Sequence, residues 1–498
     1  IIMFFLLTVV FLILTWIYIR WLKVKNYWAE RGVPHSPPNP IFGSLIPALS
    51  QNPNLWLRNL YKDFKSPVVG VWFFWKPALI VNSPEIAKNI LVKDSASFRD
   101  RSLRSGDSDP IGALNLLTVK DPLWTFIRRR TSIIFTSTKL KGFQNSILVK
   151  SKELVQRINN DRGKQMDLKT MYLDYTTDVI GVSLFGIKTN ATLTGKDPLR
   201  DVTNDIMTFG FHRALSWCSI FFFPELVDIF RFKFFPQSTA DYLKNIFNTC
   251  APERLAKLKE DDDVKDLIDL LMKMHQESSD GYSITDDIII AQAAILLHGG
   301  FETTAATLTF ITYELAYYPE IQEKLYQELL NAAQENESDE FDLQLLIELP
   351  YLNCVIKEGL RKFSPMGWLD RIATTDYKIN DTLTIKAGTP VFINSTGMHY
   401  DPEYFPNKFK PERFSKKNEE NIKPNTYLPF GDGPRFCIGQ RFGLMSLRFA
   451  LSQVYLNYEV RPRPNMPKPA DVKINKRGLL YTPGEPLSVE FVPRDKNF

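Results

Sequence analysis

The hydrophobic and polar positions of the chain predict one long apolar helix at the start and a mostly helical body after it. Residues 1–19 are interrupted only by Thr8 and Thr15 as polar residues. As a helix, this stretch would span about 28 Å, close to the hydrocarbon thickness of a bilayer. Basic residues follow from Arg20 onwards, so the positive-inside rule places the rest of the chain in the cytosol. We expect a membrane anchor over residues 1–20.

The next segment, residues 21–40, is basic and then rich in proline. Four prolines lie between Gly32 and Pro40, and no site of small residues suited to signal-peptide cleavage precedes them. No basic region precedes the apolar stretch, which also argues against a cleaved signal peptide. We expect a stiff, extended hinge over 21–40 and one large body over 41–498.

Two patterns early in the body predict a β-hairpin and a short helix. Residues 68–81 are apolar and rich in β-branched side chains, with Lys76-Pro77 as the expected turn. Ser83 is followed by a proline and an acidic residue, which is typical of a helix N-terminus. That helix is expected to end near residue 93.

An unusually long helix is predicted over residues 285–318, about 48 Å at helical rise. Gly299 and Gly300 lie in its middle, where each costs roughly 1 kcal/mol against alanine. Thr303 shares a face with Gly299, and Glu302 is adjacent. One interpretation is a flat cofactor packed on the glycines, with the hydroxyl and the acid relaying protons. The alternative is a threonine that bonds back to the carbonyl four residues earlier.

Two spaced pairs suggest polar contacts within predicted helices. Trp124 and Arg128 lie at i and i+4, so an indole N–H and a guanidinium share one face suited to an anion. A surface aromatic residue on a basic helix is the alternative. Glu358 and Arg361 lie at i and i+3 and can pair, but such a pair contributes little when exposed.

Residues from Phe209 to Pro236 are strongly aromatic. Core helices account for much of this pattern. The stretch from Phe230 to Phe235 mixes rings with cations, which also suits a second contact with the membrane interface.

A loop rich in glycine and proline, residues 428–439, presents Cys437 just before a predicted helix over 440–458. Free N–H groups and the positive end of the helix dipole stabilise a thiolate there, so we expect Cys437 to be ionised. The alternative is a cysteine that serves only as a small residue in a turn.

Composition narrows the function classes. The 498 residues show no internal repeat or long flexible linker, which favours one large unit. The net charge of +5 comes from interleaved acidic and basic residues, so nothing indicates nucleic-acid binding. The four cysteines lie far apart without a Cys-x-x-Cys pair, which disfavours a zinc site or a disulfide framework.

Together these motifs resemble the cytochrome P-450 haem-thiolate monooxygenases, microsomal members in particular, and among them the insect members of the animal detoxification clan. The resemblance rests on the cysteine loop, the Gly-Gly-Phe-Glu-Thr-Thr helix from Gly299, the Glu358/Arg361 pair, the turn over 411–414 and the Trp124/Arg128 pair. It covers essentially the whole chain. It implies a mainly α fold with small β-sheets, a single helical haem domain that follows the anchor.

The resemblance also implies roles for individual residues. Cys437 is expected to be the axial ligand of the iron of haem b, pushing electron density onto the metal. Thr303 and Glu302 are expected to supply protons to dioxygen. The other expected haem contacts are Trp124, Arg128, Arg371, Arg435, Gly299, Gly300 and Phe430. The expected structural residues of the cysteine side are Glu358, Arg361 and Arg413. The expected substrate-pocket residues are His298, Phe301, Trp368, Leu369 and Leu480.

His298 departs from the family pattern, in which this position is apolar. A histidine there would give the pocket a polar, titratable spot. The alternative is a neutral histidine bonded to a neighbouring backbone carbonyl.

The resemblance further implies hydroxylation or epoxidation of small apolar substrates, such as plant toxins, insecticides, lipids or hormones. Electrons would come from an NADPH-dependent flavoprotein reductase, with cytochrome b5 as a second candidate, because the sequence contains no Gly-x-Gly-x-x-Gly fingerprint. The expected location is the endoplasmic reticulum membrane, with lipid contact through the anchor. The rival functions are a haem-thiolate isomerase or dehydratase that needs no dioxygen, and a non-catalytic haem-binding sensor or carrier.

Overall fold

The computed structural model describes residues 2–208, 210–261, 264–276, 283–338, 340–406 and 408–495. Phe209, which opens the predicted aromatic stretch, lies outside the described residues. The described part is mainly helical with small sheets, as expected.

The α-helices are α1 (Ile2–Asn26), α2 (Leu45–Leu49), α3 (Pro53–Phe64), α4 (Pro84–Lys88), α5 (Pro110–Ala113), α6 (Leu123–Thr131), α7 (Ser137–Asn160), α8 (Leu168–Ser183), α9 (Ala191–Thr194), α10 (Pro198–Met207), α11 (Phe211–Phe222), α12 (Val227–Phe230), α13 (Gln237–Asp261), α14 (Leu267–Gln276), α15 (Asp286–Leu315), α16 (Pro319–Glu335), α17 (Leu343–Glu348), α18 (Pro350–Lys362), α19 (Ser395–His399) and α20 (Gln440–Asn457). The strands are β1 (Val68–Phe73), β2 (Lys76–Val81), β3 (Leu369–Ile372), β4 (Tyr377–Lys378), β5 (Thr384–Ile385), β6 (Pro390–Ile393), β7 (Tyr458–Pro462) and β8 (Val489–Pro493).

The largest described sheet has the strand order β1-β2-β6-β3, with β2 and β6 parallel and the other pairs antiparallel. The predicted hairpin is present, but its turn is not at Lys76-Pro77. Both of these residues pair with β1, and the chain reverses at Phe74, which has a positive φ of 53°. The turn therefore lies two residues earlier than predicted, where the backbone takes the left-handed conformation of tight turns.

The anchor helix is longer than predicted, and the start of the proline segment packs against the body. Helix α1 continues to Asn26, and the fully buried Trp28 donates from its indole to the Val71 carbonyl at 3.1 Å. Gly70 donates its N–H to the Pro34 carbonyl at 2.8 Å. Residues 28–35 therefore pack against the hairpin, where the buried Trp28 ring and the hydrogen bonds hold them.

Two described helices are long and apolar enough to cross a membrane. Helix α1 belongs to a segment with a mean hydropathy of 2.7 and none of its most apolar window buried, whereas the corresponding window of α15 is 83% buried. Helix α15 is therefore the core helix of the body. In the predicted second membrane contact, only Phe230 of the four phenylalanines is exposed, because the other three pack in the core.

Helix α15 begins and ends close to its predicted limits. The Thr285 hydroxyl accepts a hydrogen bond from the Ile288 N–H at 3.4 Å, and the helix ends at Leu315, three residues before the predicted end. It packs along α8, where the Tyr172 and Thr312 hydroxyls are 2.7 Å apart. Its central turns therefore lie deep in the body, where a site can exclude water.

Candidate functional site

The cysteine loop is held by its own backbone. The Cys437 N–H donates to the Phe430 carbonyl at 2.9 Å. Gly431 and Gly433 have positive φ values of 73° and 71°. A Cβ added at Gly433 would lie 1.8 Å from the Leu91 carbonyl oxygen, so only glycine fits there. The loop therefore presents an accessible Cys437 at one position just before α20.

The surroundings of Cys437 do not ionise the thiol by themselves. The side chain is accessible from one side, yet enough protein surrounds it that burial raises the pKa of Cys437 above its usual range. The Gly439 N–H and the Arg128 guanidinium act in the opposite direction and are weaker than burial. The prediction that the loop and helix dipole favour a thiolate is therefore wrong in its net direction. A bound metal cation, which deprotonates a coordinating thiol outright, would supply the missing stabilisation.

Trp124 and Arg435 form one side of a cationic region near the cysteine loop. The Arg435 guanidinium lies 4.0 Å from the Trp124 ring centroid. It donates to the Arg99 carbonyl at 2.7 Å and to the Asp100 carboxylate at 2.8 Å. Burial lowers the pKa of Arg435 to about 9.

Three more arginines complete this region, which we call the arginine cluster: Arg101, Arg128, Arg371 and Arg435. Arg371 is 2% exposed and donates to the Asp370 carbonyl at 2.8 Å, the one hydrogen bond of its side chain among the described residues. Burial, together with the charge of Arg101, lowers the pKa of Arg371 to about 9. The Arg128 guanidinium contacts the Phe436 ring at 4.8 Å.

The positive charge of the arginine cluster exceeds the negative charge of the carboxylates around it. Arg101 bonds the Asp370 carboxylate at 2.9 Å, but its charge also lowers the pKa values of the other three members of the cluster. An anion placed among these guanidiniums would relieve the repulsion and use their remaining N–H groups. The cluster fits a ligand with carboxylate groups.

The middle of α15 forms the opposite wall. A Cβ added at Gly299 would meet nothing within 4 Å, whereas one added at Gly300 would lie 2.6 Å from Ile180 of α8. The predicted bare backbone beside Thr303 is present at Gly299, but Gly300 faces α8 and offers no surface to a cofactor, because successive helical residues point about 100° apart. Gly299 alone faces open space. The Thr303 hydroxyl donates to the Gly299 carbonyl at 2.7 Å, the bonding of the alternative interpretation, and its oxygen can still accept a hydrogen bond.

Glu302 is buried without a hydrogen-bond partner among the described side chains and backbone. It is 3% exposed, and burial raises its pKa to about 7. A carboxyl group with this pKa holds and releases a proton near neutral pH, as a general acid must.

The Glu358/Arg361 pair is buried rather than exposed. Arg361 donates to both oxygens of the Glu358 carboxylate at 2.8 and 2.9 Å, and Arg413 donates to it at 3.0 Å. Arg361 also donates to the His399 carbonyl, and the His399 ring accepts from the Leu428 N–H at 2.9 Å. This network therefore ties α18 to the start of the cysteine loop.

The predicted pocket residues divide into two groups. Phe301 and Trp368 are fully buried among other rings, so they support the wall from behind instead of lining an open space. Leu369 is half-buried, with its Cδ2 atom 3.2 Å from a Cβ added at Gly431 of the cysteine loop. Leu480 is buried like Phe301 and Trp368, with 6% of its surface exposed.

His298 matches each interpretation of its role only in part. Its Nδ1 atom is buried without a hydrogen-bond partner in the described part of the chain, so it does not bond a backbone carbonyl. Burial lowers its pKa to about 3, so the ring stays neutral at physiological pH instead of titrating.

Two arginines of the site were not singled out from the sequence pattern, Arg101 and Arg213. Arg101 pairs with Asp370, 269 positions away, and no local spacing reveals such a pair. Arg213 lies four residues before Trp217, and only that i, i+4 spacing of cation and ring could have drawn attention to it.

The family model described as cytochrome P-450 matches residues 34–491. The chain belongs to the cytochrome P-450 family. It is 34% identical to cytochrome P-450 6k1 of Blattella germanica over 93% of this chain and 92% of that protein. It is 32% identical to the probable cytochrome P-450 6g2 of Drosophila melanogaster, over 89% and 90% of the two chains. It is 32% identical to cytochrome P-450 3A9 of Rattus norvegicus, over 99% and 97%.

As a cytochrome P-450, the protein binds haem b and is a haem-thiolate monooxygenase that uses dioxygen and electrons from a redox partner. The residues present fit this cofactor. No group of three or more His, Cys, Asp or Glu side chains could hold a metal in the part of the chain that the structure describes. The accessible sulfur of Cys437 suits a metal that brings its other ligands with it, and the arginine cluster suits carboxylates such as haem propionates.

Proposed function

We propose that this cytochrome P-450 is a membrane-anchored enzyme that hydroxylates or epoxidises small apolar molecules, with Cys437 as the axial ligand of the haem iron. The observation that carries the assignment of Cys437 is its accessible thiol, held by a glycine-constrained loop beside the arginine cluster. Trp124, Arg128, Arg371 and Arg435 would hold the propionates.

When bound at Cys437, haem b supplies the iron chemistry that cleaves dioxygen and inserts one oxygen atom into a C–H or C=C bond. The chain's own residues control the surroundings of that chemistry. Cys437 contributes the thiolate, and the arginine cluster neutralises the carboxylates. Glu302 holds a proton whose release near neutral pH suits the reaction, and the Thr303 hydroxyl, which can donate and accept, passes it across the open face at Gly299.

The proposed substrates are xenobiotics, such as plant toxins or insecticides, or endogenous lipids and hormones. The aromatic residues packed on the α15 side of the site support this substrate class. Rings of α11 pack on one another and on Trp368, with Phe221 and Phe222 at 6.5 and 5.6 Å from that indole. Such surfaces favour apolar ligands and exclude water.

We propose that the protein lies on the cytosolic side of the endoplasmic reticulum membrane, where α1 anchors it. Electrons would come from an NADPH-dependent flavoprotein reductase, with cytochrome b5 as an additional donor. A second lipid contact is supported by three exposed apolar side chains: Phe211, Ile229 and Phe230, at 82%, 70% and 57% exposure.

The test is the absorption spectrum of the reduced carbon monoxide complex. The natural protein should show the strongly red-shifted band of a thiolate ligand, and Cys437→His should lose that band while retaining haem. Cys250→Ser on α13 is the matched control and should keep it. A red-shifted band that persists in Cys437→His would overturn the assignment, and turnover without NADPH would favour the isomerase alternative.

A further inference from the structure

The aromatic cluster above α15 contains polar atoms that the monooxygenase chemistry does not use. Trp217 of α11 is 2% exposed, and its ring lies 5.0 Å from the ring of His298 and 5.0 Å from that of Phe234. Phe235 and Phe301 lie 6.3 and 6.0 Å from His298. His298 is thus enclosed by rings that offer it no hydrogen bond.

Arg213 reaches the same cluster from one turn earlier in α11. Its guanidinium lies 5.4 Å from the Trp217 ring centroid, and one terminal nitrogen donates to the Lys233 carbonyl at 3.1 Å. The Nε and Nη2 atoms are both buried with no acceptor among the described residues. Burial lowers the pKa of Arg213 to about 10, so the side chain is still a cation at neutral pH.

The carboxylate whose charge acts on Arg213, that of Asp109, is hydrogen-bonded to other groups. Asp109 is close enough to raise the pKa of Arg213 but does not form an ion pair with it. Its oxygens accept from the Phe234 N–H at 2.6 Å, the Ser105 hydroxyl at 2.8 Å and the Gly112 N–H at 3.2 Å. Two donors of Arg213 therefore remain unsatisfied, which is unfavourable for a buried cation.

His298 adds a third unsatisfied group on the same Trp217 ring. It is 7% exposed, and its Nδ1 atom has no partner in the described structure. The indole nitrogen of the fully buried Trp368, which packs on Phe221 of the same cluster, is unpartnered as well. A purely apolar substrate would leave the Arg213 and His298 atoms unsatisfied, whereas a substrate oxygen would bond to them.

We propose that Arg213 and His298 form a subsite that binds a carboxylate of an otherwise apolar substrate. The guanidinium supplies two donors and compensating charge, the neutral imidazole supplies one more polar contact, and the rings enclose the adjoining hydrocarbon. His298 precedes Thr303 by five residues, about 7.5 Å of helical rise, so the anchored end is held away from the Thr303 hydroxyl. This inference rests on the proposed function and specifies its substrate class.

The experiment compares three ligands of equal chain length on the full-length holoenzyme: dodecanoate, methyl dodecanoate and dodecan-1-ol. Binding is measured by the shift of the haem absorption band and, independently, by equilibrium dialysis. The natural protein should bind dodecanoate at least about tenfold more tightly than dodecan-1-ol, with the ester between them, because a carboxylate is the strongest acceptor for a guanidinium.

Arg213→Met should reduce this ratio to about twofold or less, Arg213→Lys should keep part of it, and His298→Phe should lower it about threefold. Arg162→Met, which changes an exposed arginine at the end of the α7 region, is the control and should leave the ratio unchanged. If Arg213→Met does not fold, Arg213→Lys and His298→Phe still test the subsite.

A natural protein that binds the alcohol as tightly as the acid would overturn the proposal, as would a ratio that Arg213→Met leaves intact. Equal preference for ester and acid would show that the site recognises a carbonyl and would overturn the carboxylate assignment. The carbon monoxide spectrum of the same samples tests the proposed function separately from the subsite. A missing thiolate band contradicts the proposed function, whereas the dialysis ratios test the subsite in either case.

Discussion

The two walls of the site are built on different principles. On the cysteine side, the loop closes through the Cys437 N–H, and Arg361 and Arg413 are bonded to the Glu358 carboxylate. On the α15 side, Gly299 faces open space, and His298 has a buried nitrogen without a partner among the described residues. Around Glu358, the charged groups of the cysteine side bond to one another, whereas His298 and Glu302 of the α15 side have no hydrogen-bond partner among the described residues.

This difference between the two walls affects the free energy of unfolding. A satisfied buried network rigidifies its surroundings, whereas each unsatisfied buried polar atom lowers the free energy of unfolding by roughly 1–3 kcal/mol. Local destabilisation of this kind is typical of functional sites. We therefore expect substitutions on the cysteine side to destroy the fold and the haem site, and substitutions on the α15 side to change pH dependence and ligand preference.

The largest expected effect is that of Glu358→Gln. It leaves the buried Arg361 and Arg413 without their shared countercharge, which should lower the free energy of unfolding by about 3–5 kcal/mol. The yield of folded holoprotein and its thermal midpoint are the measurements. Asp381→Asn is the matched control, because Lys378 and Asp381 form an i, i+3 pair in which the Asp381 side chain is 98% exposed. It should cost less than about 1 kcal/mol, and equal effects of the two substitutions would contradict the comparison.

The next prediction compares the stability effects of two glycine substitutions, one on each wall. In Gly433→Ala, the alanine has to adopt a positive φ, and its methyl group would lie 1.8 Å from the Leu91 carbonyl oxygen. The substitution should therefore destabilise the protein by on the order of 3 kcal/mol. Gly299→Ala meets nothing within 4 Å and should stabilise α15 by at most about 1 kcal/mol. Denaturant unfolding monitored by circular dichroism measures both. A stabilised Gly433→Ala protein would refute the constrained loop.

The last expected effect is the pH dependence that Glu302→Gln removes. Because burial raises the pKa of Glu302 from 4.5 to about 7, the folded form resists ionisation that the unfolded chain permits. Stability from this group is complete below pH 4.5 and is lost as the pH rises to about 7. Glu302→Gln should therefore gain on the order of 3 kcal/mol over the natural protein at pH 8 and little at pH 4.5.

Unfolding at the two pH values measures that difference. The exposed Glu335 of α16 provides the matched control, Glu335→Gln, which should not change with pH in this way. A gain for Glu302→Gln that is the same at both pH values would show that the carboxyl group is not held protonated in the folded state.

Local features of the fold were predictable because they arise between near neighbours. The N-terminal cap at Thr285, the helix that begins at Pro350 and the glycines of the cysteine loop all depend on backbone preferences within a few residues. The limits of the anchor were less predictable, since α1 ends where Trp72 donates to the Val24 carbonyl, 48 positions away.

The sequence by itself determined the family motifs, the apolar anchor segment and the spacing that brings Thr303 beneath Gly299, because each is a property of a contiguous stretch. Only the tertiary structure decided which groups are buried, and burial sets their chemistry. It buried the Glu358/Arg361 pair in a network and raised the pKa of Glu302. It also placed Arg213 and His298, 85 positions apart in the chain, against the same Trp217 ring. Desolvation and long-range packing depend on every element that surrounds a residue, so no local pattern encodes them.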